Sequence, residues 1–455
     1  MMHPQSMRVG WCPTAGAAMA AADGLLLRVR PTAGRLTAGA LRQLARIARE
    51  HGNGAVVLTR RAKVELRGIG DGEAAAAALR AADLAPADPG AEARPDVIVS
   101  PATDLDTGAD CDIGPVVEAL ETALPAWPGV RELPAKMALV VDGGGRAHVA
   151  DSDGDIRFDA VRVGGSIRFR VALAGTRASA TPLGYCRAAM LPTVAEGLLA
   201  TFDVVRRDRE DEIWRMRHAL AAAGAERFEA AVGDALDADG SEELPAPAMT
   251  DGLGAVDGWY GAAFAFGRLD AAALERLAEV AQTQGRGDIR LLPTRRVLVG
   301  GAGGQAAAML REVGAIERAD DPRLRLEACS GLGGCTRATT MTRDDALALA
   351  AQVPDLLRGE GRCALHVSGC AKSCAYSGAA PVILTGHEGR YDLALNAAPG
   401  DEPLWRGLDA AQAGAYVKAL EGVLAREGDD TVAALLARLD RDQLRQQVER
   451  ELTSG

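Results

Sequence analysis

Two segments of the chain carry the same order of apolar and polar positions. Residues 23–61 read DGLLLRVRPTAGRLTAGALRQLARIAREHGNGAVVLTRR, and residues 257–296 read DGWYGAAFAFGRLDAAALERLAEVAQTQGRGDIRLLPTRR. Each opens on Asp-Gly and a strand-like run, then passes through Gly-Arg-Leu. A stretch with apolar residues at helical spacing follows: Leu41, Leu44, Ile47 and Ala48 in one, Leu274, Leu277, Val280 and Ala281 in the other. A Gly-x-Gly stop comes next, then a second strand ending in Thr-Arg-Arg. With small gaps the match persists over about forty residues, which predicts a duplicated strand–helix–strand unit. Two unrelated αβ units with common turn chemistry are the alternative.

The segments that follow are comparable too. After the first unit come a strand, VIVSP (97–101), a helix around 114–124 and a strand, KMALVVDGGG (136–145). After the second come a Cys-rich turn (328–337), a helix around 343–357 and a strand, CALHVSGC (363–370). The chain therefore divides into two equivalent halves, about 20–205 and 251–400, of mixed α and β structure. Asp142, Gly143 and Gly144 of the first half stand where the second has its cysteine turn. Residues 206–250 are expected to connect the halves, beginning with a charged helix and ending in an acidic, Pro-containing stretch, and the charged segment from 401 to form a helical packing arm.

Length and charge narrow the function. A chain of 455 residues has room for several domains. Its net charge of −11 argues against a general nucleic-acid footprint. No apolar run is expected to span a membrane, and no signal peptide is evident. The expectation is a cytoplasmic protein with no membrane partner, where cysteines serve as ligands more often than as disulfides.

Eight cysteines are present, and five fall between Cys329 and Cys374. Cys329 and Cys335 are spaced C-x5-C in EACSGLGGCTRA; Cys370 and Cys374 are spaced C-x3-C in HVSGCAKSC. One helix and one strand lie between the pairs, enough to fold the second back on the first. Four thiolates from two glycine-rich loops suit a [4Fe–4S] cluster. A zinc site usually uses the shorter C-x2-C knuckle, so it is the weaker alternative, with inert buried thiols behind it. Cys363 reads as a core strand residue, and Cys12, Cys111 and Cys186 as isolated small hydrophobes.

Cations cluster on the repeats. Arg28 and Arg30 belong to the first strand of repeat one, and Arg60 and Arg61 end its second. Arg295 and Arg296 end the matching strand of repeat two. Lys136 opens a strand, and Lys372 sits between two of the paired cysteines. If the duplicated sheets surround one cavity, these groups line it, and their forks suit a ligand bearing many carboxylates. Ordinary solvated strand-end arginines are the plain alternative.

Together these features resemble the sirohaem-type nitrite and sulfite reductases over residues 20–400. RVRPTAGRL is similar to that family's first strand and turn, and LTRRAKVELRGI to its arginine-bearing strand. The resemblance implies an α+β fold with duplicated nitrite/sulfite reductase-like halves. These are ferredoxin-like half-domains (1–90 and 251–322), a first lobe without a cluster (91–205), a linker (206–250), a [4Fe–4S] lobe (323–400) and a helical tail (401–455), around a central tetrapyrrole site. It also implies that Cys329, Cys335, Cys370 and Cys374 hold the cluster, and that Arg28, Arg60 and Arg30 face the macrocycle.

The departures redirect the function. The reductases resemble LPRKFK where this chain reads LPAKMA, so Ala135 and Ala138 replace two cations and Lys136 alone remains. Their last cysteine loop resembles GCPNGC; here it is GCAKSC. HVSGCAKSCA looks like another branch, the precorrin-3B synthases of aerobic cobalamin biosynthesis. That resemblance implies O2-dependent hydroxylation of precorrin-3A with γ-lactone formation. NADH supplies the electrons, indirectly through a separate donor protein, because VGGAGGQAAAML (299–310) is only a weak glycine fingerprint. The branch is also associated with a mononuclear non-haem iron. Lys136, His366 and Lys372 are the catalytic candidates, although a satisfied strand histidine is the simpler reading of His366. The alternatives are a sirohaem-dependent sulfite or nitrite reductase and a non-catalytic Fe–S tetrapyrrole-binding protein.

Overall fold

A computed structural model describes residues 12–454, apart from 208, 210–211, 238–251, 359–362, 399 and 429–430. The first half runs β1 (Met19–Ala21), β2 (Gly24–Val29), β3 (Arg35–Thr37), α1 (Ala38–His51), β4 (Ala55–Leu58), β5 (Val64–Ile69) and α2 (Gly72–Ala81). It continues with β6 (Asp96–Val99), α3 (Gly114–Ala123), β7 (Ala138–Asp142), β8 (Gly154–Val163), β9 (Ser166–Gly175) and β10 (Thr181–Cys186). Three helices close it: α4 (Leu191–Arg206), α5 (Met216–Ala223) and α6 (Ala225–Val232).

The second half repeats the plan. It has β11 (Gly254–Val256), β12 (Trp259–Ala263), β13 (Arg268–Asp270), α7 (Ala271–Thr283), β14 (Asp288–Leu291), β15 (Arg296–Gly300) and α8 (Ala306–Arg311). Then come β16 (Leu326–Ala328), α9 (Thr342–Gln352), β17 (Leu365–Ser368), β18 (Ala380–His387), β19 (Arg390–Ala397) and β20 (Trp405–Leu408). The chain ends in α10 (Ala410–Glu427), α11 (Val432–Arg438) and α12 (Arg441–Ser454).

The duplicated units form two five-stranded sheets, β1-β2-β5-β4-β13 and β11-β12-β15-β14-β3. Each unit lends its short strand to the other's sheet: β13 pairs with β4, and β3 with β14. The same local physics builds both. Ala33 and Phe266 turn the chain with positive φ, followed by Gly34 and Gly267 in the same region. Thr37 and Asp270 then cap α1 and α7, accepting from Ala40 N and Ala273 N. The β2–β5 pairing shifts register between Leu25 and Leu27, with the extra residue on β5.

One sequence correspondence shifts. Thr-Arg-Arg aligns Arg60 with Arg295, but the hairpins do not. Thr59 N donates to Lys63 O in one turn, and Leu292 N to Arg296 O in the other. Ala62 and Arg295 share the positive-φ position. Arg295 therefore matches Ala62, Arg296 matches Lys63, and Arg60 and Arg61 match Pro293 and Thr294. The ladder sets register, and similar letters two positions away do not.

Two further sheets have one topology, β6 to β10 and β16 to β20, each with its first three strands parallel and its last two antiparallel. The core of the first lobe includes Val194, Leu198 and Phe202 of α4 with Met216 and Phe228 of α5 and α6. Each such buried side chain contributes roughly 1.5–3 kcal/mol. Two expectations change here. The helical start expected of the connecting segment 206–250 extends to two helices that pack into this core through Met216 and Phe228; 238–250 lies outside the described residues. Ala188–Arg206 is, by length and composition, apolar enough to cross a membrane, contrary to the expectation of no such run, yet its apolar residues sit in this core.

The chain divides into two units, one comprising most residues to Ala315, the other Ile316–Gly455 with Ala21–Gly24 and Phe264–Phe266. In the second, Trp405, Val417, Leu420, Leu435 and Val448 share one core with Leu365, Val367, Val382 and Leu384. The segment from 401 thus supplies the fifth strand and part of the core, beyond the packing arm expected.

Candidate functional site

The cysteine loops converge because of strand order. β16 and β17 are parallel neighbours with Ala328 opposite Val367. Parallel neighbours end at one sheet edge, so their following loops emerge together. Cys329 follows β16 directly; Gly369 and Cys370 follow β17. Cys329 N donates to Val367 O (3.4 Å), and Gly369 N donates to Cys329 Sγ (3.2 Å). Thr342 Oγ1 donates to Cys329 O (2.8 Å) and fixes the start of the first loop. Cys335 N then donates to Gly331 O (2.9 Å), with Gly331 at φ 71°. A Cβ on Gly369 would lie 2.6 Å from Ala338 Cβ, so the loops approach where only glycine fits.

The first lobe repeats this architecture with other chemistry. Ser100 follows β6, Gly143 follows β7, and Gly143 N donates to Ser100 Oγ (2.8 Å). Ser100 therefore occupies the place of Cys329. Asp142 is held by the fully buried Arg157 (3.4 Å), which also pairs with Asp159 at 2.8 Å. The thiol turn of one lobe is an ion-paired turn in the other.

Cys329, Cys335 and Cys370 are half-buried and Cys374 is exposed. Burial pushes the Cys374 thiol up; Lys372 pulls it down, and Cys370, Cys329 and Cys335 push it further up, which marks all four thiols as electrostatic neighbours. Among the described residues no three His, Cys, Asp or Glu groups converge as a single ion's ligands would. Between Cys370 and Cys374, Ser373 is buried with φ 53°, and its hydroxyl has no hydrogen-bond partner among the described residues. Four neighbouring thiols, an amide already aimed at one sulfur and a spare buried donor suit a sulfide cluster, whose ligands spread wider than those of one zinc ion.

The remaining candidates fall into different settings. His366 is fully buried on β17 and packs edge-on to Tyr376, with ring centroids 5.9 Å apart. Lys372 is exposed. Lys136 does not open β7; it is exposed in the preceding turn, and its carbonyl accepts from Arg61 Nη1 (3.0 Å). That turn lies at the opposite end of β7 from Gly143.

Arg28, Arg30 and Arg61 are engaged with carboxylates. Arg28 pairs with Glu65 (2.8 Å). Arg30 and Arg61 meet at the buried Asp96, at 3.5 and 2.9 Å, and Lys63 Nζ donates to the same carboxylate. Arg60 is half-buried in the β4–β5 turn, and Arg295 and Arg296 belong to the β14–β15 hairpin. A nearby cavity of about 930 Å³ is lined by Arg30, Arg35 and Arg94, but also by Glu92, Glu118 and Glu121. Its charges are mixed. Lys63 and Asp96 escaped the sequence reading. Ser373 was visible as the serine of GCAKSC, standing where GCPNGC has a glycine, but the burial of its hydroxyl was not.

Comparison with known proteins places this geometry in context. Residues 18–83 match the nitrite/sulfite reductase ferredoxin-like half domain. A precorrin-3B synthase from Sinorhizobium sp is 30% identical over 410 residues, covering 88% of this chain and 85% of that protein. The solved structure of the Mycobacterium tuberculosis NirA protein superposes with a TM-score of 0.71 at 20% identity, covering 92% of this chain and 84% of that one. The last similarity concerns fold alone.

Proposed function

Because the chain belongs to the precorrin-3B synthase family, on a nitrite/sulfite reductase-like fold, we propose that it oxidises precorrin-3A with O2. One oxygen atom enters the macrocycle as a hydroxyl at a meso carbon, and the ring-A acetate closes to a γ-lactone. The other leaves as water, with two electrons supplied from NADH, indirectly through a separate donor protein. The observation that carries this reading is the 30% identity to a precorrin-3B synthase across most of both chains.

The residues have corresponding roles. Cys329, Cys335, Cys370 and Cys374 hold a [4Fe–4S] cluster, which when bound supplies one-electron chemistry. The Gly369 amide stabilises the Cys329 thiolate by donating to its sulfur. Arg28 and Arg60 bind carboxylates of the tetrapyrrole, as bidentate forks can. Arg30 and Arg61 act mainly by holding Asp96. A mononuclear iron also belongs to this reading; its ligands are unassigned.

Sulfite or nitrite reduction by bound sirohaem is the second reading, favoured by the likeness of fold to NirA. Ala135 and Ala138 count against it, since they leave Lys136 as the one cation of that strand segment and Lys136 is exposed. The test is oxygen uptake by anaerobically purified holoprotein given precorrin-3A and a reducing system. Uptake matched to precorrin consumption, with label from 18O2 in the product, is expected. Precorrin binding without uptake, alongside dye-driven sulfite reduction, would replace this reading with the second.

A further inference from the structure

We propose that the Ser373 hydroxyl donates a hydrogen bond to sulfur of the cluster and raises its reduction potential. The inference rests on the cluster reading above and adds a residue that tunes it. Two costs meet at one residue. Ser373 has φ 53°, a left-handed conformation in which an L-residue is strained. Its side chain is also buried, 6% exposed, with no partner for the hydroxyl among the described residues. An unsatisfied buried hydroxyl adds an uncompensated desolvation cost. Glycine would avoid both costs, and alanine the second. No bond among the described residues offsets them: the Ser373 amide makes the turn bond to Cys370 O (3.3 Å), and the neighbouring Ser368 Oγ is committed to that same carbonyl (2.8 Å).

The missing partner is therefore a group bound between the thiols. Sulfide and thiolate sulfur only accept, so a hydroxyl is the donor there. Reduction adds one electron and makes the sulfur more negative. The hydrogen bond strengthens in that state and favours it. This is one of the levers by which a protein sets an iron–sulfur potential.

The test is a dithionite titration of anaerobic holoprotein with redox mediators, read by electron paramagnetic resonance of the reduced cluster. Wild type, Ser373→Ala and Ser373→Gly are compared after assay of iron and acid-labile sulfide. Both variants are expected to keep the cluster and to be harder to reduce by about tenfold in the equilibrium constant, ~59 mV for one electron. An exchangeable-deuteron coupling to the cluster in D2O, present in wild type, is expected to weaken in both. The glycine variant separates hydroxyl from backbone, since it alone relieves the left-handed strain. Cluster-replete variants with unchanged potential and coupling would overturn the role of Ser373. Wild-type protein lacking iron and sulfide would overturn the cluster reading itself.

Discussion

Asp96 is a buried carboxylate ringed by three cations, Arg30, Arg61 and Lys63. Burial alone would push its pKa up; Lys63, Arg30 and Arg61 together outweigh burial and bring it from 3.8 to about 2. Burial pushes Lys63 down to about 8, because its attraction to Asp96 is opposed by the arginines. The carboxylate is overcompensated and the lysine undercompensated. Asp96→Asn leaves three cations without their anion, so its urea midpoint should fall by ~3–5 kcal/mol in stability terms. Lys63→Met keeps Asp96 between two guanidiniums and should cost far less. Equal losses would contradict the assignment. In wild type, the depressed Asp96 contributes stability above about pH 4 that is lost as pH falls towards about 2. The depressed Lys63 gives a slope of the same sign in a different window: stability is gained as pH rises from about 8 towards 10.5. None of this was legible in sequence, because Asp96 lies more than thirty residues from its partners along the chain. The cysteines were legible because spacing and small neighbours report local loop chemistry.

At the level of elements, pattern located strands and helices well and turns less well. Helical spacing and caps are local, so α1 and α7 were readable. The exchange of β3 and β13 was not, since three-residue strands carry no periodicity and pair with the other unit. The Thr-Arg-Arg misalignment has the same origin: register is a property of paired strands. The convergence of the cysteine loops depends on the parallel pairing of β16 with β17 and on one close approach. Gly369→Ala drives a methyl to 2.6 Å from Ala338 Cβ and should sharply lower iron and sulfide content. Gly333→Ala meets nothing within 4 Å and has only its positive φ to overcome, so it should lose ~1–2 kcal/mol and retain the cluster. Equal cluster content in the two variants would place the contact of Gly369 outside the site.

Across the whole molecule, duplication explains both the architecture and its asymmetry. Each half builds one antiparallel sheet and one mixed sheet in the same order. Only the second half places thiols at its parallel-strand ends; the first sets Ser100 and Asp142 there, the latter locked by Arg157. The α+β class and the paired halves could be read from sequence because repeats preserve local patterns. The packing of the 206–250 segment into the core was not legible, because its charges mask a sparse set of core residues such as Met216 and Phe228. The central claim is that a reductase-like fold with a cluster takes the tetrapyrrole as substrate, in place of sirohaem as cofactor. Cofactor extraction from anaerobically prepared protein tests it most directly. Iron and acid-labile sulfide in cluster stoichiometry with no sirohaem absorbance are the expected result; stoichiometric sirohaem in the extract would contradict the claim.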